Sequence, residues 1–227
     1  ADRPGTIIDS PMRREHNTLT EAQQRDGWRL LFDGKTTDGW RGFRRDDLPD
    51  GWQVVDGTLS RVGPGGDIIT TEQFDNFELK LDWKVQAAGN SGIFWRVSED
   101  HGAVWVTGPE MQILDNVGHG DGGHPITSAG ADYDMYPPSR DVTRPVGRFN
   151  TARIRVNGHH VTYWLNGVKI VEYELFSDDW NARYEASKFR DMPHFARMPK
   201  GHIALQDHGD PVSFRNIMIR EVDGDDE

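Results

Sequence analysis

From Gly108 to Pro125 the chain reads GPEMQILDNVGHGDGGHP, a short apolar alternation that empties into a loop crowded with titratable groups. Along an extended strand Met111 and Ile113 point one way and Glu110 and Gln112 the other, because successive side chains alternate between the faces of a sheet. A carboxylate beside an amide can move a proton and hold a hydroxyl. In the loop, His119 and His124 could supply nitrogen and Asp115 or Asp121 oxygen to a divalent cation. The metal signal is weak: no His-Glu-x-x-His pattern is present, and a glycine-rich loop positions ligands poorly. Solvated histidines on an open loop account for the same residues. Asp115 reads as a brace for the loop rather than a reacting group.

The same alternation places other candidates. In GNSGIFWRV, Gly89 to Gly92 read as a turn, after which Ile93, Trp95 and Val97 share one face while Phe94 and Arg96 share the other. If the first face is core, Arg96 stands on the open side beside Glu110 and Gln112 of a neighbouring strand. Lys84 lies on the polar face of FELKLDWKV, and Gln206 and His208 share a face in ALQDHG. Each of these alone fits an ordinary solvated sheet face. Together, with aromatic residues nearby, they are what a concave carbohydrate site requires: planar polar groups for hydroxyls and rings for sugar faces.

Several chemistries lack support. A conventional glycosidase needs two carboxyls about 5–9 Å apart, and Glu110 and Asp115 face opposite ways along one strand. Asp82 could pair with Glu110 across strands, but Lys84 and Arg96 in the same layer would neutralise both. There is no glycine-rich phosphate loop with a following lysine, and Ser91 lacks the Gly-x-Ser-x-Gly pattern of a nucleophile elbow. A net charge of −11 without a basic stripe argues against nucleic acid as a partner. No run approaches the ~20 apolar residues of a membrane-spanning helix, and the absence of cysteine removes disulfide and thiolate chemistry.

The elements that must position these residues are β-strands. The 227 residues are enough for one sizeable core, to which eight Trp, ten Phe and five Tyr contribute large apolar areas. We expect an arm over residues 1–27, a single sandwich domain over 28–222 and a frayed acidic tail over 223–227. In the arm, Thr20 and Gln23 have the spacing of a capping box and Gly27 is placed to stop a short helix. From Trp28 onward short alternating runs are punctuated by Gly, Asp, Asn and Pro, the pattern of an antiparallel sandwich. Phe77, Leu79, Leu81, Trp83 and Val85 form the apolar side of one strand. Asn157-Gly158 and Asn166-Gly167 suit two-residue hairpin turns and predict a three-stranded meander. In the last strand Val212, Phe214, Asn216 and Met218 oppose Ser213, Arg215, Ile217 and Ile219. The only later helical segment is expected from about Asp178 to Lys188.

Taken together, LFDGKTTDGW, GNSGIFWR, EMQILDN with His119 following, AGADYDMYPP, WLNGVKIVEYE and GHIALQDHGDPVSFRNI resemble the family of 3-keto-disaccharide hydrolase domains. The resemblance implies an all-β, concanavalin-like jelly roll, usually exported, that acts on an oligosaccharide or glycoside whose 3-hydroxyl has become a ketone. Such a ketone acidifies the C2 proton, so one base, one cation or donor for the enolate oxygen and one proton donor for the leaving oxygen suffice. On this reading Glu110 or His119 is the base, Arg96 or Lys188 stabilises the enolate, and Tyr133 or His208 assists the leaving group. Lys84, Gln112, Asp134, Gln206 and His208 would contact the substrate. No cofactor is required, although a divalent ion could replace the cation. The run Ala131-Asp132-Tyr133-Asp134 and the short loop after His119 depart from the family pattern and bear on pocket shape. Two other readings stay open: a carbohydrate-binding module of the same architecture, and a structural surface protein with no affinity for sugars.

Overall fold

The computed structural model describes residues 15–224; residues 1–14 of the arm and 225–227 of the tail lie outside the described range. The arm contains the short helix α1 (Glu21–Arg25), capped as its spacing predicts: Thr20 Oγ1 accepts from the Gln23 N–H at 3.1 Å, and Gln23 Oε1 accepts from the Thr20 N–H at 2.9 Å. The arm is pinned to the body, since the main-chain N–H groups of Asn17 and Asn216 each donate to the other's side-chain oxygen, at 2.6 and 2.8 Å.

The first five strands are β1 (Arg29–Leu30), β2 (Trp40–Gly42), β3 (Trp52–Val55), β4 (Thr58–Arg61) and β5 (Ile68–Thr70). The long strands β6 (Phe77–Val85) and β7 (Asn90–Val97) lead through helix α2 (Val104–Thr107) to β8 (Glu110–Leu114). The meander β9 (Asn150–Asn157), β10 (His160–Leu165) and β11 (Val168–Glu174) precedes helix α3 (Asp178–Ala186), and β12 (His202–Leu205) and β13 (Val212–Glu221) complete the chain. Pairing is antiparallel throughout, in two sheets. The larger is ordered β11-β10-β9-β6-β13-β4-β3 with β1 added beside β13, and the smaller β2-β5-β12-β7-β8. This is a concanavalin-like jelly-roll sandwich. Leu79, Leu81 and Trp83 of the large sheet and Ile93, Trp95, Met111 and Ile113 of the small sheet belong to one buried cluster. Among the described residues no helix is long and apolar enough to cross a membrane.

Strand β6 occupies the run the alternation predicts, but two other strands change phase midway. In β7 the pairing with β12 shifts between Phe94 and Val97, and Arg96 adopts φ 50°. The extra residue of this bulge rotates the remainder of the strand. Val97 therefore joins Phe94, Ile69, Val104 and Ala204 in a second, smaller cluster instead of the main core. In β13 the pairing with β6 shifts between Arg215 and Met218 around Asn216 at φ 52°. Val212 and Phe214 are succeeded in the core by Ile217 and Ile219, not by Asn216 and Met218. Three boundaries also differ from expectation. Asn90, Ser91 and Gly92 belong to β7 rather than to a turn, the first meander turn is Gly158-His159, and α2 is a helix that alternation alone does not signal.

A candidate active site on the small sheet

The register of β7 and β8 pairs Phe94 with Glu110, Ile93 with Met111 and Gly92 with Gln112. Met111 and Ile113 are fully buried in the main core, so Glu110 and Gln112 emerge on the other side of the small sheet. There the Glu110 side chain lies flat across its neighbour: a Cβ added at Gly92 would fall within 3.0 Å of both Glu110 Cγ and Cδ and would collide with Oε1. Glycine at position 92 is thus the one residue that leaves the carboxyl its place.

Around it is a pocket of about 230 Å³ lined by Glu110, Gln112, Gln206, His208, Tyr133 and Lys188, with Asn90, Trp105 and Asp121. Gln206 enters from the strand beside β7, where its N–H donates to Gly92 O at 3.1 Å and Ser91 Oγ donates to Gln206 O at 2.8 Å. The bend after it is fixed by Asp207, whose carboxylate accepts from Arg61 Nε at 2.7 Å and from the N–H groups of Gly65 and Gly66. On the β8 side the Tyr133 N–H donates to Glu110 O at 2.9 Å. Lys188 Nζ stands 4.2 Å from the centre of the Tyr133 ring, and the Lys188 N–H donates to Asp134 Oδ2 at 2.8 Å.

The electrostatics of this pocket are unusual for a sheet surface. Glu110 is 7 % exposed, and no donor among the described residues hydrogen-bonds its carboxyl. Burial lifts its pKa to about 8; Lys188 draws it down, while Asp132, Asp67 and Asp121 push it up. Asp132, directly behind the site, is 1 % exposed and is lifted by burial to about 7. Burial likewise raises Tyr133, so its hydroxyl keeps its proton at neutral pH. Gln112 Oε1 and Gln206 Oε1 are both buried without a hydrogen-bond partner, although Gln112 Nε2 donates to Thr127 O at 3.0 Å. Orphaned acceptors of this kind cost roughly 1–3 kcal/mol each, and both belong to residues that line the pocket.

The residues singled out from the sequence separate into three groups. Glu110, Gln112, Tyr133, Lys188, Gln206 and His208 meet in the pocket. Two more support it from behind. Asp134 fixes the Lys188 main chain, and His119 stands against Asn90 (Nε2 to Nδ2, 3.5 Å) and His208 (ring centres 6.5 Å apart). The last two lie elsewhere. Arg96, turned by the bulge, donates to Asp75 O at 3.1 and 3.2 Å and to Gly158 O at 3.4 Å, tying the sheets together away from Glu110. Lys84 is on the large sheet, 4.8 Å from the Phe149 ring centre. The alternation is correct for Lys84, but it cannot say to which sheet a strand belongs.

Asp115 braces its loop as expected, accepting from the N–H groups of Ala88 and Val117 at 2.8 and 3.1 Å. Those main-chain donors outweigh burial and keep its pKa low. The candidate metal loop does not converge: His119 Nδ1 accepts from the Asp121 N–H at 3.1 Å, His124 is exposed, and no group of three or more His, Asp or Glu side chains among the described residues is arranged to hold an ion. Asn90 and Trp105 are lining residues that sequence reasoning misses. Asn90 falls in the expected turn, and Trp105 lies in a helix too short to have a period.

The fold and site define a jelly-roll sandwich with a polar, carboxylate-centred pocket on the outer face of its smaller sheet. Residues 27–220 match the model of the 3-keto-alpha-glucoside-1,2-lyase-like domain, and the chain belongs to that family. It is 35% identical to a 3-keto-disaccharide hydrolase from Bacteroides thetaiotaomicron, over 71% of this chain and 63% of that protein's length. A crystal structure of a candidate glycosyl hydrolase from Parabacteroides distasonis superposes with a TM-score of 0.87 at 34% identity, covering 92% of this chain and all of that one. A carbohydrate-binding module from Bacillus subtilis, at TM-score 0.52 and 11% identity over 81% of this chain and 96% of its own, shares the fold alone.

Proposed function

We propose that this chain is a glycosidase-type enzyme that cleaves 3-keto-glycosides, 3-keto-disaccharides among them, by elimination followed by hydration. The observation that carries the reading is Glu110: a buried carboxyl without a hydrogen-bond partner, with a pKa near 8, in one small pocket with a lysine and a tyrosine. A carboxylate of that basicity is suited to a proton α to a ketone. Its family and its relatives' names point to the same substrate class.

In this scheme Glu110 removes the C2 proton and the electron pair moves toward the C3 carbonyl. The developing oxyanion is met by Lys188, whose cation gains strength in a site of low dielectric. The pair returns to form the C1–C2 double bond as the C1–O bond breaks, with Tyr133 donating its hydroxyl proton to the departing oxygen. Water then adds across the double bond, its oxygen to C1 and a proton to C2. The side chains of Gln112 and Gln206, with His208 and Asn90, hold the sugar hydroxyls.

Turnover of a 3-keto-disaccharide in D₂O tests this. The expected 3-keto product carries deuterium at C2. Product with protium at C2 would mean direct displacement at C1, and a sugar recovered whole would mean a binding module.

A further inference from the structure

Of the tryptophans whose side chains the core does not enclose, one stands over the pocket. Trp105 is 39% exposed, whereas Trp52, Trp83, Trp95 and Trp180 are exposed by at most 2%. It is held rigidly. Within α2, Val104 and Thr107 are buried, Thr107 Oγ1 accepts from the Ser98 N–H at 2.9 Å and Thr107 O from the Ala196 N–H at 2.9 Å. Gly108 lets the helix sit close on β7, since a Cβ there would approach Val97 Cγ2 to 2.6 Å. The helix that carries the partly exposed indole is thus anchored to the small sheet.

Its position along the strands separates the pocket into two ends. α2 joins the end of β7 to the start of β8, so Trp105 lies at the Glu110 end. Gln112, opposite Gly92, comes two residues further along, and Asn90, paired with Leu114, lies beyond that. Gln112, Gln206, Asn90 and His208 are all on the far side of Glu110 from Trp105. One end is therefore furnished to recognise hydroxyls in detail and the other offers an aromatic plane. At about 230 Å³ the pocket is smaller than the roughly 300–1,000 Å³ of sites that enclose a drug-sized ligand, which suits one sugar ring inside and a second at the rim.

We infer that Trp105 is the platform for the leaving group, stacking on the second pyranose ring of a disaccharide or on an aromatic aglycone while the keto sugar occupies the polar end. The assignment rests on the functional reading above and adds a substrate preference to it: glycosides with a ring on C1 over those with a methyl group. An aromatic plane under a ring contributes contact area that a methyl aglycone cannot use.

The test compares a 3-keto-disaccharide with its 3-keto methyl glycoside. In wild-type protein kcat/KM should favour the disaccharide, and Trp105→Ala should shrink that ratio on the order of 10- to 100-fold, mainly through KM. Trp105→Phe, which keeps a plane and the packing of α2, should retain most of the ratio. An equal loss on both sugars would overturn the assignment by placing the keto ring on Trp105, and an unchanged ratio would overturn it by removing the indole from the substrate. A wild-type protein inert toward both sugars sinks the functional reading instead. The platform is then decided by calorimetric titration of Glu110→Gln with the two sugars: a disaccharide preference that Trp105→Ala abolishes supports it, and one that survives overturns it.

Discussion

Glu78 and Glu110 are two glutamates on outward-facing positions of the two sheets, and both are nearly closed to solvent, at 1% and 7% exposure. Burial raises the pKa of each, yet they end on opposite sides of the ordinary value. Glu78 receives hydrogen bonds from Arg153 and from Arg220 (Nη2 to Oε2, 2.8 Å), which outweigh burial and hold it low. Glu110 has only Lys188 nearby, without a hydrogen bond, and three further carboxylates push it up. Around Asp82 the large sheet repeats the pattern of full satisfaction, with donors from Thr151 at 2.7 Å and Asn216 at 2.8 Å. What separates a structural acid from a reactive one is therefore partnership, since burial is common to both.

Exchanging the two acids for amides is the most severe way to break the comparison. Glu110→Gln should lower turnover of a 3-keto-glycoside by about 10²–10⁴-fold, the usual share of a general base, while circular dichroism stays native. Glu78→Gln should leave turnover per folded molecule nearly intact and instead cost about 2 kcal/mol in chemical denaturation, the worth of charge-assisted hydrogen bonds to half-exposed arginines. If the two effects were reversed, the contrast drawn from partnership would be wrong.

The stability profiles should also run in opposite directions with pH. Because folding raises the Glu110 pKa to about 8, its carboxyl holds a proton that the unfolded chain gives up; the folded state is favoured below about pH 4.5 and loses on the order of 4 kcal/mol as pH climbs to 8. Glu110→Gln should flatten that decline in melts collected from pH 5 to 9. Glu78, with a lowered pKa, gives stability above its unfolded pKa that is lost as pH falls through its folded value, so Glu78→Gln should weaken the acid-side loss instead.

Smaller effects sharpen the picture. Glu110 must be ionised to act, so kcat/KM should rise with pH and level off above about 8. Lys188→Met, which removes the cation that draws Glu110 down, should move this inflection upward by a measurable fraction of a pH unit in addition to slowing turnover. Gln206→Leu removes one of the two orphaned oxygens; it should raise KM several-fold while leaving thermal stability equal or slightly higher, because no internal hydrogen bond of that oxygen is lost.

How much of the fold and site is legible in the sequence depends on the range over which each feature is determined. Strand β6 and the reciprocal caps of α1 are set by neighbours a few residues apart, and the sequence specifies them locally. Glu110 and Gln112 share the expected face because β8 keeps its phase. Arg96 departs from its expected place because a single residue at φ 50° inverts the alternation after it, and an arginine carries no local mark of that conformation. The inversion in β13 hinges on Asn216, a residue type that does tolerate positive φ and so carries a faint local signal. Trp105 is invisible to alternation for another reason, since its importance comes from where the β7–β8 connection returns to the sheet.

The bare α-carbon at Gly92 has a consequence for how the acid is aimed. A single added carbon there would lie where the Glu110 carboxyl now rests, so alanine or serine opposite the glutamine would turn that side chain off the strand floor and re-aim its proton acceptor. The aim of the acid is thus set from the neighbouring strand, by a residue that carries no side chain of its own.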